Sequence, residues 1–396
     1  MYLTREEEKM LEGERGEAAR KALEIVVKVG EALGAEKLVK ISSAHVSGVS
    51  YVNIGEAGLE LIRDLALSGA RFTVLTTVNP TAIDTEKWRE MGIPQEIALK
   101  QLDILKHLEL MGAQMTLTCT PYLLHPPAEG EQIAWGESNA VLYANSVLGA
   151  RTNREGGPLV LFEAISGRAP YVGLRREEER RPTLLVEVDE DVRERLRNGV
   201  YSYPMIGYTL GLKVGRGVPF LNFKIPFEEV KGFLAAVGAS SSIGLVLIKG
   251  VSPEAEKYTE VLNELEKIHI DTEDVETACS KISADYEEAD AVFLGCPHLS
   301  PRELEEILSV IAEKGELKRR TILSTSRWAL ERVHRSKEEL SDKVIALADT
   351  CIVVAPIEYM GLKKVITDSA KAAYYLSSKG VKTTVLPRKK ILEEIL

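Results

Sequence analysis

Apolar and polar positions along the chain change period repeatedly, and the changes outline an α/β protein. Residues 5 to 35 carry a strongly helical pattern. "LVKISSAH" reads as a strand running into a loop, and "EAGLELIRDLALSG" as an amphipathic helix stopped by Gly69. "RFTVLTTVNP" predicts a strand that delivers a polar turn at Thr76 to Pro80. Two further helices are expected between residues 85 and 111, then a strand in "QMTLTCTPYLL" and a helix in "ESNAVLYANSVLG" with Glu137 in its first turn. Residues 150 to 157, "ARTNREGG", read as a loop, and 158 to 240 as helices mixed with glycine-rich turns.

The rhythm changes at "VGASSSIGLVLIKG". From there short apolar runs alternate with helices: "IGLVLI", "AVFLG", "RTILST", "CIVVAP" and "KTTVLP". From "AVFLG" onward they recur about every 30 residues, the spacing of parallel β-α units. The expectation is an α/β region over 1–240, with room for two subdomains, followed by a doubly wound α/β domain over 241–396. In such sheets ligands collect beyond the carboxyl ends of strands. Polar loops fall there in both halves: "SSAHVSGVSYVN", "TTVNPTAID", "TCTPYLLHPP", "GCPHLSP", "STSR" and "ITDSAK".

Charge and composition narrow the function classes. The 396 residues carry 60 Asp and Glu against 50 Lys and Arg, a net charge of −10. That balance disfavours nucleic-acid binding but leaves room for a local basic pocket around an anionic metabolite. No apolar run is long enough to span a membrane, and the N-terminus is charged rather than signal-like, so a cytoplasmic protein is expected.

The four cysteines are too few, in so long a chain, for a disulfide scaffold. Cys119, Cys296 and Cys351 each lie beside a strand-like run and a backbone-bending residue, whereas Cys279 sits mid-helix on an apolar face. Buried small residues, zinc ligands and iron–sulfur ligands are all compatible with that placement. In "GCPHLSP" a Cys296–His298 dyad is a further alternative. Gly48, in a loop rich in small hydroxyls, can turn backbone N–H groups onto an anion. His45 and Glu137 are candidates for proton transfer, and Arg151, Arg154, Arg327 and Lys371 for anion recognition.

Taken in order, "KISSAHVSGVSYVNIGEAGLE", "TVNPTAID", "TLTCTPYL", "WGESNAVLYANSVLGARTNREGGP", "LGCPHLS" and "DTCIVVAPI" resemble the aconitase X family along nearly the whole chain. The resemblance implies an aconitase-like multi-domain α/β fold with parallel or mixed sheets flanked by helices. It implies an iron–sulfur cluster on Cys119, Cys296 and Cys351, with [4Fe–4S] bearing one open iron expected and [3Fe–4S] or [2Fe–2S] as alternatives. The activity implied is a hydro-lyase converting (R)-mevalonate 5-phosphate into trans-anhydromevalonate 5-phosphate, in a modified archaeal mevalonate route to isoprenoids. The chain then corresponds to the large subunit of a heterodimer. The swivelling domain is expected on a separate small subunit, which supplies a catalytic serine. Substrate contacts are expected from Gly48, Val49 and Ser50, from Asn79 and Pro80, from Ser138 and Asn139 beside Glu137, and from Ser369 and Lys371. The alternatives are a dehydratase of another small hydroxy acid, such as cis-3-hydroxy-L-proline, and a non-catalytic iron–sulfur sensor.

Overall fold

The computed structural model describes residues 1–284, 289–333 and 342–396. The chain divides into two compact units, Met1–Ala82 with Pro94–Arg181 and Ile83–Ile93 with Pro182–Leu396.

In the first unit the strands are β1 (Leu38–Lys40), β2 (Ser43–Val46), β3 (Leu75–Val78), β4 (Ala134–Trp135) and β5 (Arg168–Pro170). β3, β2 and β4 form one parallel sheet in that order, and β1 pairs antiparallel with β5. Strands paired in parallel end at the same edge, so residues 47–50, 79–82 and 136–139 all emerge there. The helix Glu17–Ala32 packs on Gly157–Ser166, and Tyr51–Leu67 packs on Gln95–Leu110. Their apolar stripes close a core around Leu23, Val26, Val46, Val78, Ile104 and Leu108, all fully buried.

Two expectations for this region change. "QMTLTCTPYLL" forms no strand. Its main chain follows β3, with Gln114 N donating to Thr76 O at 2.8 Å and Thr118 N to Val78 O at 3.1 Å. The left-handed Leu117 (φ 42°) between those bonds breaks the pleat. Between 85 and 111 there is one helix, Gln95–Leu110, rather than two. The Asp84 carboxylate instead folds 84–87 into a turn by accepting from the Glu86 and Lys87 N–H groups.

The second unit holds two parallel sheets. β6 (Leu184–Val188), β7 (Pro219–Leu221), β8 (Leu247–Ile248) and β9 (Lys267–Ile270) run in the order β8-β7-β6-β9. β7 and β8 pair across residue 240, where the periodicity changed in the sequence. The other sheet contains β10 (Ala291–Leu299), β11 (Arg320–Thr325), β12 (Val344–Ala348), β13 (Lys364–Thr367) and β14 (Lys382–Val385), in the order β12-β11-β10-β13-β14. Chain order reverses direction between β10 and β13, which makes the carboxyl ends of these two strands the crevice of a doubly wound sheet. The strand expected in "CIVVAP" lies earlier, in "VIALA". Asp349 (φ 65°) ends that strand, and the Cys351 carbonyl then accepts from Val354 and Ala355 N–H in a turn.

Candidate functional site

In the first unit, candidates distant in sequence meet at the carboxyl edge of β3-β2-β4. His45, on β2, is fully buried between the other two strands. Its Nδ1 lies 2.8 Å from Thr77 Oγ1 and its Nε2 3.3 Å from Asn79 Oδ1. Asn79 Oδ1 can only accept, so it accepts from Nε2–H, while Nδ1 faces the Thr77 hydroxyl, which also donates to Ala44 O at 3.3 Å. Burial, opposed by the Glu137 charge and the Asn79 bond, lowers His45 from 6.5 to about 4. The neutral ring thus fixes the Asn79 amide with its Nδ2 turned away.

Gly48 adopts φ 70°, the left-handed conformation that glycine takes without strain. The turn is seated on glycines: a Cβ on Gly157 would lie 2.3 Å from Ser47 O, and one on Gly136 2.6 Å from Ser47 Oγ. Gln101 ties this loop to the next. Its Nε2 donates to Val49 O at 2.9 Å, and its Oε1 accepts from Tyr51 N at 2.9 Å and Ala82 N at 3.1 Å. Gln101 was missed from the sequence, although a polar residue among Ala98, Ile104 and Leu108 on a buried helix face was a readable signal.

Glu137 is the N-cap of the helix Ser138–Ser146 rather than part of its first turn. Its Oε2 accepts from Ala140 N at 2.7 Å, and Oε1 accepts from the Ser138 hydroxyl at 3.3 Å. Asn139, fully buried, donates from Nδ2 to the Cys119 carbonyl at 3.0 Å and lies 3.1 Å from the Tyr122 hydroxyl. Its amide therefore holds the Cys119 loop. The Asn139 Oδ1 and Trp135 Nε1 are buried without a partner among the described residues.

In the second unit, Cys296 lies where β10 breaks step with β11. Leu294 pairs with Leu323, and the next pairing is Leu299 with Thr325. Gly295 (φ 118°) starts the bulge, and a Cβ there would lie 2.2 Å from Ser324 O. The Cys296–Pro297 bond is cis. His298, fully buried, donates from Nε2 to Thr350 O at 2.9 Å, and Ser324 Oγ donates to the same carbonyl at 2.6 Å. The peptide leading into Cys351 is thereby bound to the turn that carries Cys296.

After β13, Ser369 caps the helix Ala370–Ser378 and Lys371 is largely buried in its first turn. An ionic chain runs beside them. Arg388 joins Asp368 at 2.6 Å and Glu303 at 2.9 Å, while Lys231 joins Glu303 and reaches His298 O at 3.0 Å. Against the effect of burial, Lys231 and Arg388 hold Glu303 well below the usual carboxylate range.

Two arginines considered for anion binding have carboxylate partners within the chain. Arg327 binds Asp84 and Asp349 at 2.8 Å each, and Arg151 binds Glu177. The four cysteines form no disulfide. Cys119 lies in the first unit, Cys296 and Cys351 in the second, and each of these three is 8% exposed. Burial pushes the Cys279 thiol up to about 12, which suits a helix-packing residue. Among the described residues no group of three His, Cys, Asp or Glu is gathered as a metal-ligand set.

Family models described as the aconitase X first, second and third domains match residues 1–178, 182–280 and 289–396. The solved structure of Thermococcus kodakaraensis aconitase X (holo-form) superposes with a TM-score of 0.88 at 36% identity, covering 100% of both chains. The chain belongs to the aconitase X family. Among curated relatives of this aconitase X chain, the phosphomevalonate dehydratase large subunit of Aeropyrum pernix is 41% identical over 98% of both chains, and that of Methanocaldococcus jannaschii 39% over 96% of both. The cis-3-hydroxy-L-proline dehydratase of Pseudomonas aeruginosa is 32% identical over 92% of this aconitase X chain, which spans 65% of that protein.

No helix among the described residues is long and apolar enough to cross a membrane.

Proposed function

We propose that the chain is the large subunit of an iron–sulfur hydro-lyase that dehydrates (R)-mevalonate 5-phosphate to trans-anhydromevalonate 5-phosphate. The observation that carries this reading is end-to-end likeness. Archaeal proteins named phosphomevalonate dehydratase large subunit are 38–41% identical over 95–98% of the chain. The hydroxyproline dehydratases are 31–32% identical and extend well beyond it.

Cys119, Cys296 and Cys351 are the residues we assign to hold the cluster. The donor chemistry fits: three soft thiols outside any disulfide, each nearly buried but not sealed. Three thiolates suit a [4Fe–4S] cluster, which when bound supplies Lewis-acid assistance at the tertiary hydroxyl and carboxylate of the substrate.

The chain's own residues bind and orient. Backbone N–H groups of Gly48, Val49 and Ser50 cradle one anionic group of the substrate, and Asn79 Nδ2, aimed by His45, donates beside them. Pro80 stiffens the turn that presents Asn79. Ser138 and Asn139 line the same edge, and Asn139 also holds the Cys119 carbonyl. Ser369 and Lys371 are assigned to the phosphate. We assign Glu137 to proton transfer at the departing hydroxyl and His45 to positioning, since a buried imidazole near 4 is a poor proton carrier at neutral pH. The C2 proton goes to a serine on the swivelling small subunit.

The test is to assemble the purified chain anaerobically with that subunit and (R)-mevalonate 5-phosphate, and to follow the alkene product by proton NMR. Absence of water loss with the cluster intact overturns the reading.

A further inference from the structure

The helix Gly157–Ser166 is buried along most of its length and carries one ionisable residue, Glu163. Glu163 is 0% exposed, and among the described residues neither of its carboxyl oxygens has a hydrogen-bond donor. An ionised carboxylate is disfavoured in such a place, because no described protein donor replaces the hydration it has lost. The charged groups facing it are the Glu155 carboxylate and the Arg175 guanidinium.

Arg175 is also 0% exposed. Its Nη2 donates to both Glu155 oxygens at 3.0 Å, and its Nη1 donates to Ile133 O at 2.7 Å. One buried cation therefore serves two carboxyl groups. Glu155 takes the charge-assisted bonds, and charge balance requires a proton on the other acid. Burial first, and then the Glu155 charge, push Glu163 well above the usual carboxylate range, against the pull of Arg175.

The location gives the proton a purpose. Glu155 precedes Gly156, the N-cap of the helix Gly157–Ser166, and this helix start lies against the Gly48 loop. Ser47 O sits where a Gly157 Cβ would be, and Glu155 O lies 3.2 Å from a Cβ on Gly136. We propose that Glu163 is carried as a carboxylic acid whose O–H donates to Glu155, and that it is thereby a positioning residue for the anion-binding Gly48 loop. The positioning role rests on the proposed function; the protonation does not.

Infrared difference spectroscopy on the full chain at neutral pH, wild type minus Glu163→Gln, reads the proton directly. The expected result is a carbonyl stretch of an un-ionised carboxylic acid, present in wild type and missing in E163Q. Absence of the band in wild type, or its survival in E163Q, overturns the proposal. In the assembled holoenzyme with mevalonate 5-phosphate, E163Q keeps an N–H donor toward Glu155 and holds KM within about threefold of wild type. Glu163→Met has no donor and raises KM about tenfold with kcat within about threefold. Equal KM values in E163M and wild type overturn the positioning role. An assembled wild type that does not turn over this substrate defeats the functional reading, while the infrared band still decides the state of Glu163.

Discussion

His298 gives its Nε2 hydrogen to the main-chain carbonyl of Thr350 at 2.9 Å. A histidine beside a cysteine invites a catalytic dyad, but this ring is fully buried and engaged by the segment that follows β12, two strands away in the sheet. It locks the turn bearing Cys296 to the turn bearing Cys351. His298→Ala removes one donor from Thr350 O and opens a cavity. Iron and sulfide content after anaerobic reconstitution is expected to fall severalfold in H298A, to vanish in Cys296→Ala and Cys351→Ala, and to stay at the wild-type level in Cys279→Ala. Full iron retention in C296A would restore the reading of Cys296 as a nucleophile.

Gln101 joins the Val49–Tyr51 and Ala82 segments through one side-chain amide. Gln101→Leu keeps the bulk but strands the buried Ala82 N–H, at about 1–3 kcal/mol, and the half-buried Tyr51 N–H. Urea unfolding should register that loss. Steady-state kinetics should show KM rising about tenfold with kcat little changed, since the loops bind substrate rather than react. A kcat defect at unchanged KM would place Gln101 in the chemistry.

The His45 pKa is lowered from 6.5 to about 4 by burial. The folded chain therefore binds fewer protons than the unfolded chain between these values, so stability is complete above about 6.5 and declines as pH falls toward 4. The span corresponds to roughly 3 kcal/mol at most. Urea midpoints measured across that window should fall in wild type and fall less in His45→Gln. Parallel pH curves for the two proteins would rule out His45 as the source.

Gly157 has no room for a side chain, because a Cβ would lie 2.3 Å from Ser47 O. Gly157→Ala must push the Gly48 loop off its seat. We expect a loss of about 1–3 kcal/mol, as for overpacking elsewhere, with KM raised more than kcat is lowered. Unchanged KM in a folded G157A enzyme would show that the loop does not bind substrate.

Much of the fold was legible in the residues. The parallel β-α rhythm of the C-terminal third is written in apolar runs about 30 residues apart, the part of the helix Tyr51–Leu67 beyond the break at Gly55 follows from amphipathic spacing, and the helix Ser138–Ser146 was read in the right place. The errors have local causes. "TLTCTP" has strand composition, but Leu117 turns left-handed; "CIVVAP" is as apolar as a strand, yet Asp349 ends pairing before it. Neither backbone reversal has a sequence signature as strong as glycine.

The sequence by itself determined the class of the protein, the loops that carry polar residues and the family to which those loops point. It did so because periodicity and turn residues are local properties. Tertiary structure alone decided how those residues are used. It neutralised His45 by enclosing it, placed Gln101 across two loops, turned Arg327 toward Asp84 and Asp349, and left Glu163 facing Glu155 with one arginine between two acids. Protonation and pairing depend on desolvation and on partners brought from far along the chain, and neither exists until the sheets have formed.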